Sequence, residues 1–177
     1  FDECFEPRPA GREDETGGIA FGLAFHEVME RLDLVSGKNL RELCRIKAME
    51  QFIPGMAEKI AGLCQRCLEH PLMERARRSR RIFREVPFSM FLDERIVEGK
   101  IDLLFEEEDR WVIVDYKTDD VFGEALEQRF LSYRQQGTWY AQAVQKVAEG
   151  KVKEVVFFFV RPGKVRFLKK EGRSIAT

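Results

Sequence analysis

The chain has 177 residues, of which 44% are hydrophobic, and its 30 basic and 31 acidic residues sum to a formal charge of −1. This length suffices for one substantial core and does not call for two. The balance of charge excludes an overall field that would steer the protein to nucleic acid or membrane, so any such partner must be met by a local patch.

The first 18 residues, FDECFEPRPAGREDETGG, are rich in proline, glycine and charge and predict a linker or N-terminal arm. Residues 19–177 are then expected to form a single domain. Helical spacing is predicted from residue 19 to about 34, and from 40 to about 67 with an interruption at Pro54 and Gly55. No apolar run approaches the ~20 residues that span a bilayer, which predicts a cytoplasmic protein without a membrane partner.

A change of period follows the helices. The segments IFREVPFSMFL, RIVEGKIDLLFEE and WVIVDYKT between residues 82 and 118 are strand candidates separated only by short acidic turns. They predict a three-stranded antiparallel meander. Residues 124–149 have the pattern of a long amphipathic helix, and VVFFFV and KVRFL predict a final hairpin. The predicted fold class is α/β, with one mixed central sheet flanked by helices.

Acidic residues inside these strands indicate a function. If Glu108 and Asp109 are the central residues of the second turn, Asp102 faces Asp115 on the neighbouring strand. Directly opposed like charges destabilise a sheet. The same count across the first hairpin sets Glu85 opposite Asp102, which would complete a row of carboxylates across three strands.

A divalent cation would relieve this repulsion, and oxygen ligands with open positions suit Mg²⁺ or Mn²⁺. Lys117, two residues beyond Asp115, would point to the same side. The register is an assumption, because Gly99 could mark a bulge that displaces Glu85 from the row. The alternative is that these acidic residues face solvent on a half-exposed sheet.

Four short motifs in this order resemble the RecB/AddA branch of the PD-(D/E)xK nuclease superfamily. They are Gly22, His26 and Glu30 in one helix, Gly99 and Asp102 in a strand, D-Y-K-T at 115–118, and Tyr133, Gln136 and Tyr140 in a later helix. The resemblance covers residues 19 to about 168 and implies a restriction-endonuclease-like core. It also implies hydrolysis of phosphodiester bonds in DNA.

The resemblance further implies a role for individual residues. The metal would be held by His26, Asp102, Asp115 and the backbone carbonyl of Tyr116, with Lys117 orienting the attacking water. Gln136 would position the DNA backbone or Lys117, and Glu85 of the acidic row joins the catalytic candidates. The alternatives are that His26 is a packed or hydrogen-bonded histidine, and that Tyr133 and Tyr140 pack the helix on the sheet instead of contacting DNA.

Between Arg75 and Arg84 the segment RARRSRRIFR carries six arginines and no acid. Guanidinium groups suit phosphate, so Arg77, Arg78 and Arg81 are candidate DNA contacts. A surface against a larger protein is the competing interpretation, and a solvated face is the ordinary one.

The resemblance places the domain beside a helicase motor in the same polypeptide, with a possible partner subunit, in the processing of double-strand breaks. A stand-alone exonuclease of the same superfamily and a non-catalytic DNA-binding or scaffolding domain are the rivals. Some relatives hold a [4Fe-4S] cluster through cysteines after the last helical motif. This chain has no cysteine beyond Cys67, so no iron–sulfur cluster is expected.

Overall fold

A computed structural model of the protein describes residues 13–92, 94–148 and 150–169. Within these ranges the helices are α1 (Glu13–Arg31), α2 (Leu40–Glu50), α3 (Ala57–Glu69), α4 (Pro71–Arg78) and α5 (Gly123–Val147), with a 3-10 turn at Pro54–Met56. The strands are β1 (Ile82–Leu92), β2 (Arg95–Glu107), β3 (Arg110–Lys117), β4 (Lys151–Phe159) and β5 (Lys164–Lys169). No helix in this part of the chain is both long and apolar enough to cross a membrane.

The strands form one sheet in the order β1-β2-β3-β4-β5. The pairs β1–β2, β2–β3 and β4–β5 are antiparallel, whereas β3 and β4 are parallel because α5 carries the chain back between them. The sheet is therefore mixed, which confirms the predicted fold class, including the meander, the long helix and the final hairpin.

Apolar side chains fill both faces of the sheet. On one face, α1 to α4 pack over residues of β2, β3 and β4 that include Leu103, Val114 and Phe158. On the other face, α5 packs through Leu126 and Tyr140 against a second buried cluster. A strand that is covered on both sides has no solvent-facing side, which explains why β3 reads as an almost continuous apolar run.

The first helix starts earlier than predicted. α1 begins at Glu13 and runs through Gly17 and Gly18, so residues 13–18 are helical. Each glycine costs ~1 kcal/mol of helix propensity, and the pair had suggested a break. Packing of buried residues further along α1, such as Phe25 and Val28, outweighs that local cost. Residues 1–12 of the predicted arm lie outside the described residues.

The two predicted hairpin registers are those of the structure. Leu92 pairs with Arg95 across the first turn, and Glu107 pairs with Arg110 across the second. Gly99 takes part in the ladder opposite Phe88, so it does not mark a bulge.

The irregular position of the first hairpin is Glu85. Its φ is +50°. In the described strands, the ladder goes from Arg84–Leu103 directly to Val86–Ile101, so Glu85 and Asp102 are not a ladder pair. On the two sides of this point, side chains two residues apart point to opposite faces of the sheet. Leu103 packs beneath α1–α4, whereas Ile101 packs with α5. Strict alternation would put both residues on one face. The left-handed backbone at Glu85 thus changes which sheet face the side chains point to, but it does not shift the register of β1 and β2.

Candidate active site

Three side chains from three elements converge beside this irregularity. His26 of α1, Glu85 of β1 and Asp102 of β2 each offer a ligand atom, and these atoms lie within 4.8 Å of one another. His26 Nδ1 is 3.1 Å from Asp102 Oδ1, and the Tyr116 amide donates to Asp102 Oδ2 at 2.6 Å. An imidazole nitrogen and carboxylate oxygens at such spacing are a donor set that suits a divalent cation.

Gly22 explains how α1 comes so close to the sheet. It lies one helical turn before His26, and a Cβ atom at this position would be 3.0 Å from Thr118 Oγ1, just beyond the end of β3. The absence of a side chain therefore allows the helix to approach the D-Y-K-T segment. Phe25 and Met29, both buried, anchor the neighbouring face of α1.

Burial and mutual repulsion both act on the ionisable groups of this cluster. Burial, together with repulsion from Asp102, raises the pKa of Glu85, although Lys100 donates to its Oε2 at 2.7 Å and opposes the shift. Burial acts to lower the pKa of His26, but the carboxylates of Asp102, Asp115 and Glu85 outweigh it and raise that pKa. A bound cation would reduce this repulsion.

A second group forms a closed ring of polar contacts between β3 and α5. Tyr140 donates to Asp115 Oδ1 at 2.8 Å and accepts from Gln136 Nε2 at 2.7 Å. Lys117 Nζ donates to Gln136 Oε1 at 2.8 Å and lies 2.6 Å from Asp115 Oδ2. The ring holds the Lys117 ammonium in one place beside the carboxylate.

Asp115 is the acid of this ring of contacts, and it is deeply buried. Its side chain is 5% exposed, and Oδ2 has no hydrogen bond of normal geometry although it is ion-paired with Lys117. Burial and the charge of Asp102 raise the pKa of Asp115, against the opposing effects of Lys117 and Tyr140. A buried carboxylate oxygen without a hydrogen bond, close enough to Asp102 and His26 to interact electrostatically with both, fits a cation that the protein would bind there.

The expected pairing of Asp102 with Asp115 lies outside the regular ladder of β2 and β3. The β2–β3 ladder ends at Leu103 and Val114, one pair before them. Asp102 turns toward His26 on α1, whereas Asp115 contacts Tyr140 on α5. The irregular backbone at Glu85 is the physical reason, since Asp102 leaves the regular alternation there, although it remains close enough to Asp115 to raise the pKa of that carboxyl group.

The two tyrosines of α5 serve different neighbours. Tyr140 is 3% exposed, so its predicted DNA contact gives way to the hydrogen bond with Asp115. The ring of Tyr133 lies under Lys117 Nζ at 3.8 Å, and its hydroxyl donates to Asp119 Oδ2 at 3.0 Å. A cation over an aromatic face is stabilised, so Tyr133 helps to hold Lys117. The predicted ligand role of the Tyr116 carbonyl stays a prediction.

The arginine run is engaged largely in contacts within the chain, and Arg81 of this run lies far from Lys117. Arg81 lies over the Trp111 ring at 4.8 Å, near the start of β3, whereas Lys117 ends that strand. At ~3.3 Å per residue the two ends are roughly 20 Å apart. The partners are Glu107 and Glu154 for Arg75, the carbonyls of Leu34 and Leu68 for Arg77, Glu74 for Arg78, Glu106 for Arg81, and the carbonyls of Met29 and Leu32 for Arg84.

Lys100 is the residue of the cluster that the sequence interpretation missed. Its ammonium contacts Glu85 and is the nearest basic group acting on that carboxylate. The signal was available, because Lys100 lies two residues before Asp102 in the same predicted strand and so shares its side of the ribbon.

Comparison with known proteins gives a consistent result. A family model described as PD-(D/E)XK nuclease superfamily matches residues 6–176. Proteins named as subunits of an ATP-dependent helicase/nuclease are similar to the chain: 32% identical in Carboxydothermus hydrogenoformans, over 81% of this chain and 14% of that protein, and 34% in Desulforudis audaxviator, over 91% and 15%. The relative in Heliobacterium modesticaldum is 36% identical over 63% of this chain and 9% of its own length. The chain thus spans only a small part of these relatives.

Proposed function

This chain belongs to the PD-(D/E)XK nuclease superfamily, and from that premise we propose that it is the DNA-cleaving domain of a helicase-nuclease and uses Mg²⁺ or Mn²⁺. The observation that carries the proposal is the convergence of His26, Glu85 and Asp102 within 4.8 Å, beside a lysine held against Asp115. Nucleases of this superfamily generally use divalent metals. We assign residues 19–177 to one nuclease domain that acts in the cytoplasm, where its substrate lies.

The residues that would hold the metal are His26, Glu85, Asp102 and Asp115, the last through its buried Oδ2. A divalent ion bound there supplies Lewis-acid stabilisation of a phosphate and lowers the pKa of a bound water. The contacts of Asp102 with His26 and with the Tyr116 amide hold both of its carboxylate oxygens in place for metal binding.

Lys117 provides the fixed positive charge of the proposed reaction. Gln136, Asp115 and the Tyr133 ring surround its ammonium, so its position does not depend on the substrate. A preorganised cation stabilises charge that develops on a scissile phosphate without the cost of reorganisation at the moment of reaction. The same ammonium is close enough to Asp115 to orient a water between them and the phosphodiester.

The wider setting follows from the relatives. Their name, which describes an ATP-dependent helicase/nuclease, combines a motor with a nuclease. We therefore propose that this domain lies in the same polypeptide as a helicase motor that feeds it DNA from double-strand breaks, together with a partner subunit.

The direct test is cleavage of linear single-stranded DNA in the presence of Mn²⁺, with wild type, Asp102→Asn and Asp115→Ala compared. We expect cleavage by wild type and its loss in both variants. Glu98→Gln is the matched control, since Glu98 is an exposed carboxylate of the same strand as Asp102. Cleavage that survives both aspartate substitutions would refute the assigned residues.

Calorimetric titration with Mn²⁺ separates ion capture from catalysis. Wild type and Glu98→Gln should bind the ion alike, and Asp102→Asn should bind it weakly. Ion capture without cleavage, even in the full helicase-nuclease polypeptide, would favour a scaffolding domain that has kept the fold.

A further inference from the structure

Gly99 and Phe88 face each other in the β1–β2 ladder and make an unusually close contact. A Cβ atom at position 99 would lie 2.8 Å from Cε1 and 2.9 Å from Cζ of the Phe88 ring. The aromatic ring therefore occupies the space that any side chain at position 99 would need. Gly99 is the first residue of the G-x-x-D motif, so this motif glycine fixes the place of an aromatic ring.

Phe88 in turn supports α5. Its ring meets the Tyr140 ring edge to face, with centroids 5.6 Å apart and an interplanar angle of 90°. Tyr140 is almost fully buried, and its hydroxyl donates to Asp115 Oδ1 while it accepts from Gln136. Packing of the Phe88 ring against the Tyr140 ring therefore limits where the phenol that makes both hydrogen bonds can lie.

We propose that Phe88 is a positioning residue: its ring, seated on Gly99, fixes the Tyr140 phenol and through it the buried Asp115 carboxylate. This proposal rests on the proposed nuclease function for its kinetic consequence, but not for its structural one. It explains two features together, namely a glycine in the middle of a strand, where glycine is unfavourable, and an aromatic ring on the ribbon face that looks toward α5.

Fluorine NMR gives a readout that does not depend on cleavage. The chain has 3 tyrosines, so labelling with 3-fluorotyrosine gives a spectrum that Tyr116→Phe, Tyr133→Phe and Tyr140→Phe assign completely. In Phe88→Leu the Tyr140 resonance should shift or broaden, whereas the Tyr116 resonance, on the other face of the sheet, should stay in place. An unmoved Tyr140 resonance would overturn the proposal.

The kinetic readout is the division between kcat and KM. Phe88→Leu should lower kcat by roughly 10- to 100-fold, the range for a misplaced reacting group, with little change in KM. Phe91→Leu is the matched control, because Phe91 lies on the opposite face of the same strand and is 73% exposed. It should keep the wild-type kcat, and a loss equal to that of Phe88→Leu would contradict the proposal.

A double variant separates positioning from packing. Gly99→Ala should lower the thermal midpoint by forcing a methyl group into the Phe88 ring, and Phe88→Leu added to it should recover part of that loss by making room. If Phe88 positions Tyr140, kcat stays low in the double variant although stability returns. Recovery of kcat together with stability would overturn the proposal, because the space available to a side chain at position 99 would then account for both effects.

The two proposals fail in different ways. Wild type that does not cleave DNA, with a Tyr140 resonance that still responds to Phe88→Leu, refutes the proposed function and leaves the positioning contact standing. Wild type that cleaves, with kcat unchanged in Phe88→Leu, refutes the positioning role alone.

Discussion

The two ends of β3 both carry clusters of charge, but the clusters are built differently. At the start of the strand, Arg75 donates to Glu107 at 2.7 Å and to Glu154 at 3.1 Å, and Lys153 reaches Glu107 at 2.9 Å. Each of these carboxylates therefore has a cation, and the pKa of Glu107 falls to about 2. This is the arrangement of a structural ion-pair network.

At the other end the ionised carboxylates are less well stabilised. The pKa values of Glu85 and Asp115 are raised, because burial and mutual repulsion outweigh the effects of Lys100 and Lys117. The comparison teaches that charge alone does not mark a functional site in this sheet. The direction of the carboxyl pKa shift separates the two ends, because ion pairing lowers the pKa of Glu107, whereas burial and repulsion raise the pKa values of Glu85 and Asp115.

The largest expected effect is that of Asp115→Asn. We expect cleavage to fall by at least ~10²-fold, the scale for removal of one electrostatic group from a reaction centre. The free energy of unfolding at neutral pH should not fall, because a carboxyl group whose folded pKa is raised costs stability when it is ionised. Cleavage assays and urea unfolding of the same preparation measure both. A variant that loses activity only because it unfolds would contradict the comparison.

At the opposite end, Arg75→Met should act on stability. Arg75 is 32% exposed and Glu154 is 8% exposed, so its removal leaves a buried carboxylate without its main partner. We expect the free energy of unfolding to fall by about 2–3 kcal/mol, somewhat less than for a fully buried pair. The Mn²⁺ affinity of the folded protein should stay at the wild-type value, and a weakened affinity would show that the two ends are coupled.

The pH dependence of stability sharpens the same contrast. Hydrogen bonds from Arg75, with Lys153 nearby, lower the pKa of Glu107 from 4.5 to about 2 despite its partial burial. A group with a lowered folded pKa contributes stability above its unfolded value and loses it as the pH falls. Glu107→Gln should cost roughly 1–2 kcal/mol at neutral pH, after allowance for partial exposure.

That difference between wild type and Glu107→Gln should shrink as the pH falls from 4.5 toward 2. Urea unfolding at a series of pH values measures it. A difference that stays constant over this range would show that packing, and not ionisation, accounts for the loss.

The smallest effect is expected for Arg78→Ala. Among the residues that the structure describes, Arg78 pairs with Glu74 one helical turn away, on an exposed face. Such pairs contribute about 0.3–0.5 kcal/mol, so thermal unfolding should hardly change. Because the residue lies away from the acidic cluster, cleavage at saturating DNA should also stay at the wild-type rate. A clear fall in DNA affinity at low salt would support the predicted DNA contact of Arg78.

Turn lengths made the sheet predictable from the sequence. The two-residue turns after Leu92 and after Glu107 fix the pairing of every residue that follows, and the structure keeps both registers. The apolar run of β3 and the long pattern of α5 likewise indicated a sheet covered on both sides. These are local signals, and the tertiary structure does not override them.

The change of faces at Glu85 was not predictable in the same way. A left-handed backbone at a glutamate has no signature in the sequence, because residues with positive φ are more often glycine or asparagine. The departure of Asp102 from the regular ladder beside Asp115 follows directly from it. The partners of the arginine run were not predictable for a different reason. Arg75 and Arg81 pair with residues of β4 and β2 that lie far away in sequence, so no local pattern indicates them.

The hydrogen bond between His26 and Asp102 joins residues that are 76 positions apart, and Tyr140 reaches Asp115 only after α5 has followed the first three strands. Long-range contacts of this kind form late, since the loops between them must close first. A chain still emerging from the ribosome therefore has no assembled centre, and its cutting chemistry arises only once the last helix has docked.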